Sequence, residues 1–268
     1  MSQLSNLPVL IRGAGEMASG VAHRLWRCRF RILLTEQAQP LAVRRAVSFC
    51  EAVHDGAMEV EGLTARRVDD LAGAEAIWAV GGLPVLVDPN LEVLGLFRPA
   101  VLIEASLAKQ NNFGLKAGLA PLVIALGPGF EAPGEAHFVI ETNRGHNLGR
   151  VIERGQAEAN TGLPGNIEGY TWQRVFRAPT DGVFETEHRI GDLIKAGQVV
   201  GRVAGQEVRA QVAGMIRGLI RPGTPVTEEL KLGDVDPRGP RAWPKRISEK
   251  ARAIGGSVVE CILRTFNT

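Results

Sequence analysis

At 268 residues, 45% hydrophobic and 22% charged, the chain has the make-up of a soluble globular protein, long enough for one large or two ordinary domains. Its 31 basic and 29 acidic side chains leave a formal charge of +2, and no basic stripe with interleaved aromatics is read, which argues against nucleic acid as a partner. No apolar run reaches the roughly 18 residues that span a bilayer, so no membrane partner is expected.

The opening MSQLSNLPVLIRG lacks a charged stretch before an apolar run and reads as no secretory signal. Cys28, Cys50 and Cys261 are odd in number and far apart, with no Cys-x-x-Cys pair and no zinc-type spacing to the histidines. They read as reduced, buried thiols of a cytoplasmic protein, and no metal site is expected.

Val9 to Arg12 is a short apolar run of buried-strand type, followed by Gly13, Ala14, Gly15, Glu16 and, further on, Gly20. Met17, Val21, Leu25 and Trp26 then fall at helical spacing, and Arg31 to Thr35 forms a second strand ending at Glu36. This is close to the dinucleotide-binding fingerprint, in which glycines turn the chain and let a pyrophosphate approach a helix N-terminus. Ala18 stands in the third glycine position. Glu36 lies 21 residues past Gly15, near the ~20 expected of the acid that holds a ribose 2′-OH. A glycine turn that binds nothing is the other reading. If a dinucleotide binds, Glu36 favours NAD over NADP, although Arg44 and Arg45 nearby weaken that preference.

After a helix expected to start near Pro40, AMEVEGLTARRV reads as a hairpin. EAIWAVGGLPVLVDP, PAVLIEASLA, APLVIALGPGF and AHFVIETNRGH read as strands buried on both faces. Their polar ends are expected to converge on one crevice. Gly127 and Gly129 follow one strand, while Thr142, Asn143, Arg144, Gly145 and His146 follow another. Arg144 suits a phosphate or carboxylate and His146 a proton transfer, so these two are the candidate catalytic residues. The cofactor-binding candidates are Gly13, Ala14, Gly15, Glu16, Gly20, Glu36, Gly127, Gly129, Thr142, Asn143 and Gly145. LGPGF also reads as a rigid turn, and ETNRGHNLGRV as a surface turn with Arg144 in a structural ion pair.

From about Val175 the chain becomes a series of short strands with an internal echo: APTDGVF and IGDLIKAGQVVGRV are followed by AQVAGMIRGLI and GTPVTEELKLGDV. This resembles the barrel-sandwich hybrid of biotinyl and lipoyl carriers. The hairpin tip VAGQEVRA holds no lysine and Lys195 lies in an earlier turn, so an unmodified version is expected, as appended to some deacylase-type enzymes, without covalent biotin or lipoate. In the tail, Ser248 reads as the N-cap of a helix, and Gly255 and Gly256 within it suggest a close neighbour. The fold class expected is α/β: a Rossmann-like nucleotide-binding domain over residues 1–165, an all-β barrel-sandwich hybrid over residues 174–240 and a C-terminal helix over residues 244–266.

IRGAGEMASGVAHRLWRCRFRILLTEQAQPLAVRR, GLPVLVDP, LGPGF with ETNRGHNLGRV, and LKLGDVDPR together resemble the accessory proteins of selenium-dependent molybdenum hydroxylase systems. The likeness is carried by Gly13, Gly15, Gly20, Thr142, Arg144, Gly145 and His146; EASLAKQNNFG departs from it, with Glu104 in the acidic place. It implies a maturation factor for a molybdenum hydroxylase of the xanthine dehydrogenase type, with that enzyme as partner; a small-molecule nucleotide is the other expected partner, and self-association as a homo-oligomer is left open. NAD or another nucleotide or dinucleotide, a cytidine-type molybdopterin dinucleotide among them, is the expected cofactor. A stand-alone NAD-dependent oxidoreductase and a pure interaction module are the alternatives.

Overall fold

The run PVLIR lacks polar alternation, the pattern of a strand covered on both faces. In the computed structural model, which describes residues 7–267, it forms β1 (Pro8–Arg12) with Val9, Leu10 and Ile11 wholly buried. Met1–Asn6, part of the stretch on which the lack of a signal is read, lie outside the described residues. Gly13 turns the chain at φ 99°, and a side chain there would meet the backbone of Ala105 and Ser106 at 3.1–3.2 Å. The helix α1 (Glu16–Arg27) leads on to β2 (Arg31–Glu36), which pairs with β1 in parallel.

The chain continues through α2 (Ala52–Asp55), β3 (Ala57–Val60), β4 (Leu63–Val68), α3 (Leu71–Ala79), β5 (Leu83–Val87), α4 (Leu94–Phe97) and β6 (Val101–Glu104). Beyond these come β7 (Leu122–Leu126), β8 (Glu131–Ala132), β9 (Phe138–Ile140), β10 (Val151–Ile152) and β11 (Gly155–Gln156). Nine strands form one sheet in the order β10-β9-β7-β6-β1-β2-β5-β4-β3. Those from β9 to β4 in that order are parallel, while β10 and β3 close the two edges antiparallel. The chain therefore builds first on the β2 side of β1 and then crosses to the β6 side. One face of the sheet packs Leu10, Leu33, Leu102, Val123 and Val139 into a core with Phe130.

Two local expectations change. EAIWAV, read as the start of a strand, lies largely in α3, because the Asp70 side chain accepts the Gly73 N–H at 2.8 Å and caps a helix there. The helix expected from Pro40 is broken into the short turns Arg45–Val47 and Phe49–Glu51 and the four-residue α2.

Contacts divide the chain into Met1–Pro40, Ser48–Asn160 and Ile247–Thr268 as one unit and Leu41–Val47 with Thr161–Arg246 as the other. The second unit contains β12 (Val175–Arg177), β13 (Gly182–Glu185), β14 (Leu193–Ile194), β15 (Val199–Val203), β16 (Gln206–Arg209), β17 (Gly214–Leu219), β18 (Pro225–Val226) and β19 (Lys231–Asp236). They form two antiparallel four-stranded sheets, β12-β19-β17-β14 and β16-β15-β13-β18. Ala204 and Gly205, both at positive φ, make the tight turn of the β15–β16 hairpin.

The expected fold class is thereby corrected. In place of a Rossmann-like domain there is a large mixed sheet. Pro99, Pro121, Pro128 and Pro133 punctuate its second half, and no helix longer than α4 connects β5 to β10. In place of a clear barrel-sandwich hybrid there are two separate sheets of strands two to six residues long, their ladders interrupted by register shifts at Phe176/Arg177, Val199/Gly201 and Ile216/Gly218. Among the described residues no helix is long and apolar enough to cross a membrane.

The last element, α5 (Glu249–Phe266), is capped by Ser248, whose hydroxyl accepts the Ala251 N–H. It packs on α1 through small residues. A Cβ on Gly20 would fall 2.6 Å from Ala251 Cβ, and one on Gly255 would lie 3.2 Å from the Gly20 carbonyl oxygen and 3.1 Å from Arg24 Cβ. Gly20 thus serves helix packing, whereas a Cβ on Gly256 would meet nothing within 4 Å. Gly20→Val should destabilise the first unit by about 1–3 kcal/mol through overpacking. Gly256→Ala should stabilise it by up to ~1 kcal/mol through helix propensity. Urea denaturation curves of the two variants should move in opposite directions.

Candidate ligand-binding site

Open parallel sheets gather ligands at the carboxyl ends of strands, where the strand order reverses. Here that point lies between β1 and β6, and a cavity of about 590 Å³ occupies it, with Arg12, Gly13, Thr35, Glu36, Asp88 and Ser106 among its walls. Arg12 and Glu36 end their strands, Gly13 and Asp88 directly follow theirs, Thr35 is the last residue but one of β2, and Ser106 lies two residues past β6. The sequence therefore places polar groups at the rim by stopping the hydrophobic run.

Arg12 and Glu104 are register partners at the ends of β1 and β6. The Arg12 Nη1 donates to Glu104 Oε2 at 2.9 Å, and Nε and Nη2 both reach the Pro89 carbonyl at 3.3 Å. The guanidinium lies 4.5 Å from the Phe113 ring centre. Glu104 is wholly buried, and its other oxygen accepts the Ser106 N–H at 2.9 Å and the Ser106 hydroxyl at 2.5 Å. Asp88 accepts the N–H groups of Glu92 and Val93, both at 2.9 Å, and so shapes the turn after β5.

Glu36 closes the glycine turn. Its Oε2 accepts the Ala14 N–H at 2.9 Å and its Oε1 the Gln37 N–H at 2.8 Å. Burial raises its carboxyl above the usual carboxylate range, against the lowering effect of those N–H groups and of Arg12. Beside it, Thr35 is wholly buried, and its Oγ1 has no hydrogen-bond partner among the described residues.

Of the residues singled out in the sequence, Gly13 and Glu36 line this cavity, and Ala14 is tied to it through Glu36. Gly15 is the N-cap of α1, Glu16 its first residue, and Gly20 faces α5. Gly127 and Gly129 let the loop after β7 pack closely. A Cβ on Gly127 would strike Thr142 Oγ1 at 2.8 Å, and one on Gly129 the Lys109–Gln110 backbone at 2.5–2.7 Å.

The residues after β9 lie outside the cavity's walls and form a closed loop. Buried Glu141 accepts the N–H groups of Asn143 at 2.6 Å and Glu158 at 2.7 Å, and Asn143 and Asn147 both donate to the Glu158 carboxylate. Thr142 is buried, Gly145 sits at φ 135°, and His146 is exposed. Arg144 pairs with Glu249 at the start of α5. Arg44 and Arg45 belong to the second unit, where they donate to the carbonyls of Arg246 and Leu219. The sequence reading passed over Arg12, Thr35, Asp88 and Phe113 as site residues. Their signal was position: Arg12, Thr35 and Asp88 stand at the ends of strand runs. Among the described residues no group of three or more His, Cys, Asp and Glu side chains is placed to hold a metal ion.

No family model matches the chain. The uncharacterised protein YqeB of Escherichia coli (strain K12) is 48% identical over 255 residues, which cover 95% of this chain and 47% of that protein. The chain thus spans about half the length of the curated relative it matches. Among solved structures, the ectoine utilisation protein EutE (DoeB) of Ruegeria pomeroyi with bound product is 11% identical, covers 85% of each chain and has a TM-score of 0.26. An aspartoacylase family protein of Mesorhizobium loti is 13% identical over 86% of this chain and 85% of its own, with a TM-score of 0.28. A succinylglutamate desuccinylase/aspartoacylase of Rhodobacter sphaeroides is 14% identical over 86% of both, with a TM-score of 0.27. At these values the likeness does not carry an activity across.

The solved structures are of an ectoine utilisation protein and of aspartoacylase- and desuccinylase-type proteins, with no molybdenum hydroxylase accessory factor and no nicotinamide-dependent oxidoreductase among the three, and YqeB is uncharacterised. The expected membership of the selenium-dependent molybdenum hydroxylase accessory family, and both functions inferred with it, maturation factor and NAD-dependent oxidoreductase, are corrected accordingly. The family resemblance had leaned on ETNRGHNLGRV, whose polar residues are largely taken up in closing their own loop.

The two ion pairs differ in setting, and their removal should separate them. Arg144→Ala breaks an exposed pair and should change stability by less than about 1 kcal/mol. Glu104→Ala strands Arg12 and empties a fully buried position, and should cost about 3 kcal/mol or more. Equilibrium denaturation of the two variants side by side checks the contrast.

Proposed function

We propose that the first unit binds a nucleotide or dinucleotide-like small molecule in the cavity at the ends of β1, β2, β5 and β6. The reading is carried by Thr35, a wholly buried residue of the cavity wall whose hydroxyl has no partner among the described residues. An unsatisfied buried polar group costs on the order of 1–3 kcal/mol, which a ligand hydroxyl would recover. Each Glu36 oxygen takes a single backbone N–H and keeps acceptor capacity, which suits the paired hydroxyls of a ribose. Phe113 adds an apolar ring to the same wall. Binding alone is proposed, in a cytoplasmic setting that the free thiols Cys28 and Cys261 support.

Thermal unfolding with AMP, ADP and CDP tests this. A ligand at 100 times its dissociation constant should stabilise the protein by about 2.7 kcal/mol. Thr35→Val should leave the free protein as stable or more so, because it removes an unpartnered hydroxyl, and should weaken binding. A flat response of the native protein to all three nucleotides would overturn the proposal.

The pH dependence has a defined sign. Ligand hydroxyls donate to ionised Glu36, so affinity should fall on acidification, beginning at a higher pH than an ordinary carboxylate would set. In the free protein the raised carboxyl acts in the opposite sense. Its contribution to stability is present below the unfolded-state value and is lost as pH rises through the folded one. Titration calorimetry across the acid range checks the first effect and denaturation without ligand the second.

A further inference from the structure

Glu36 ends β2 at the cavity just described; Arg31 begins the same strand at the opposite end of the sheet. There α1 finishes in Trp26 and Arg27, and a second hollow of about 600 Å³ opens, walled by Trp26, Phe30 and Trp78 and rimmed by Arg27, Arg29 and Arg31. The sequence WRCRFR supplies most of it in one stretch.

Both indole N–H groups are already used: Trp26 donates to the Gly81 carbonyl at 3.0 Å and Trp78 to that of Ile32 at 2.7 Å. The rings therefore offer apolar surface rather than donors. Arg31 lies 4.0 Å from the Trp78 ring centre and pairs with Glu75, so its charge is balanced locally. Arg27 and Arg29 are exposed and make no ion pair among the described residues. The hollow thus combines an aromatic floor with two uncompensated guanidinium groups, each suited to planar oxyanions.

The backbone adds a separate observation. After α1, Phe30 N–H bonds to the Leu25 carbonyl and Arg29 N–H to that of Trp26, with Arg29 at φ 68°. This is the left-handed helix stop at which glycine is favoured. Arginine occupies it here, and the conformation sets Arg29 on the rim of the hollow.

We propose that this hollow binds a planar dianion, an aromatic dicarboxylate or aryl phosphate, with its ring against Trp26 and Trp78 and its two charges on Arg27 and Arg29. The ligand class follows from the net charge of the rim, three guanidinium groups against one carboxylate, and from a size suited to a small organic molecule.

The test uses the full chain and naphthalene-2,6-dicarboxylate as probe, followed by calorimetry and tryptophan quenching, with 2-naphthoate and neutral 2,6-bis(hydroxymethyl)naphthalene alongside. One saturable site is expected, with the dianion bound at least about tenfold more tightly than the monoanion and its affinity falling with salt. Arg27→Gln and Arg29→Gly should each weaken it about tenfold, and Glu75→Gln should tighten it by releasing Arg31. Arg29→Gly should also keep or raise the melting temperature, which separates lost binding from lost folding. Absence of saturable binding, equal binding of the neutral compound, or indifference to both arginine variants would overturn the assignment. Preferential capture of a single-stranded oligonucleotide by the same arginines would overturn it in favour of nucleic acid. None of these outcomes bears on the nucleotide cavity, which Arg29→Gly leaves intact.

Discussion

The parallel pairing of β1 with both neighbours governs the first unit. Two parallel strands cannot be joined by a tight hairpin, so the chain must leave β1 over the sheet, return beside it as β2, and later arrive at its other side as β6. The connections leave the rim in opposite directions, and the ends of β1 and β6 are left facing a crevice. Arg12 and Glu104 are paired across that divide because strand register puts them level. The fully buried carboxylate needs the guanidinium beside it. A cavity with polar walls is therefore a product of topology before it is a product of any particular ligand.

The glycine turn shows how such a rim is held ready. Its Ala14 N–H is taken by Glu36, which also receives Gln37 and is partly desolvated in doing so. Gly13 permits the positive φ and the close passage of the loop after β6. The conformation is thus fixed by the protein's own groups. Preorganisation of this kind reduces the ordering cost a ligand must meet. Thr35, one residue before Glu36, is the group in this neighbourhood that internal bonding leaves over.

Strands buried on both faces were the most legible part of the chain, since β1, β2, β6 and β7 are simple apolar runs ending at polar residues. The glycine turn and the Ser248 cap could be read because each depends on a few adjacent residues. What could not be read depended on partners distant in sequence. EAIWAV is as apolar as a strand, and Asp70, several residues earlier, decides for helix. Gly20 looked like part of a phosphate loop until Ala251, more than two hundred residues on, occupied the space beside it. ETNRGHNLGRV looked like a site because it is rich in hydrogen-bonding groups. Glu141, Glu158 and Glu249 consume much of that capacity, and none of their pairings is visible from spacing. In the second unit the echo between halves was plain, but a repeat in sequence does not specify how short bulged strands partition between sheets.

The packing of α5 against α1 has a consequence for the order of events in folding. Residues Thr161–Arg246, with Leu41–Val47, make up the other unit, and Ile247–Thr268 return to the first. On a ribosome the sheet around β1 emerges early, with the Gly20 face of α1 waiting for a partner made more than two hundred residues later. Contacts of such long sequence separation carry a large loop-closure entropy and form late. The first unit thus remains open until α5 has emerged, and the face of α1 that α5 covers is exposed throughout that interval, a stage at which chains are prone to associate with one another or with chaperones.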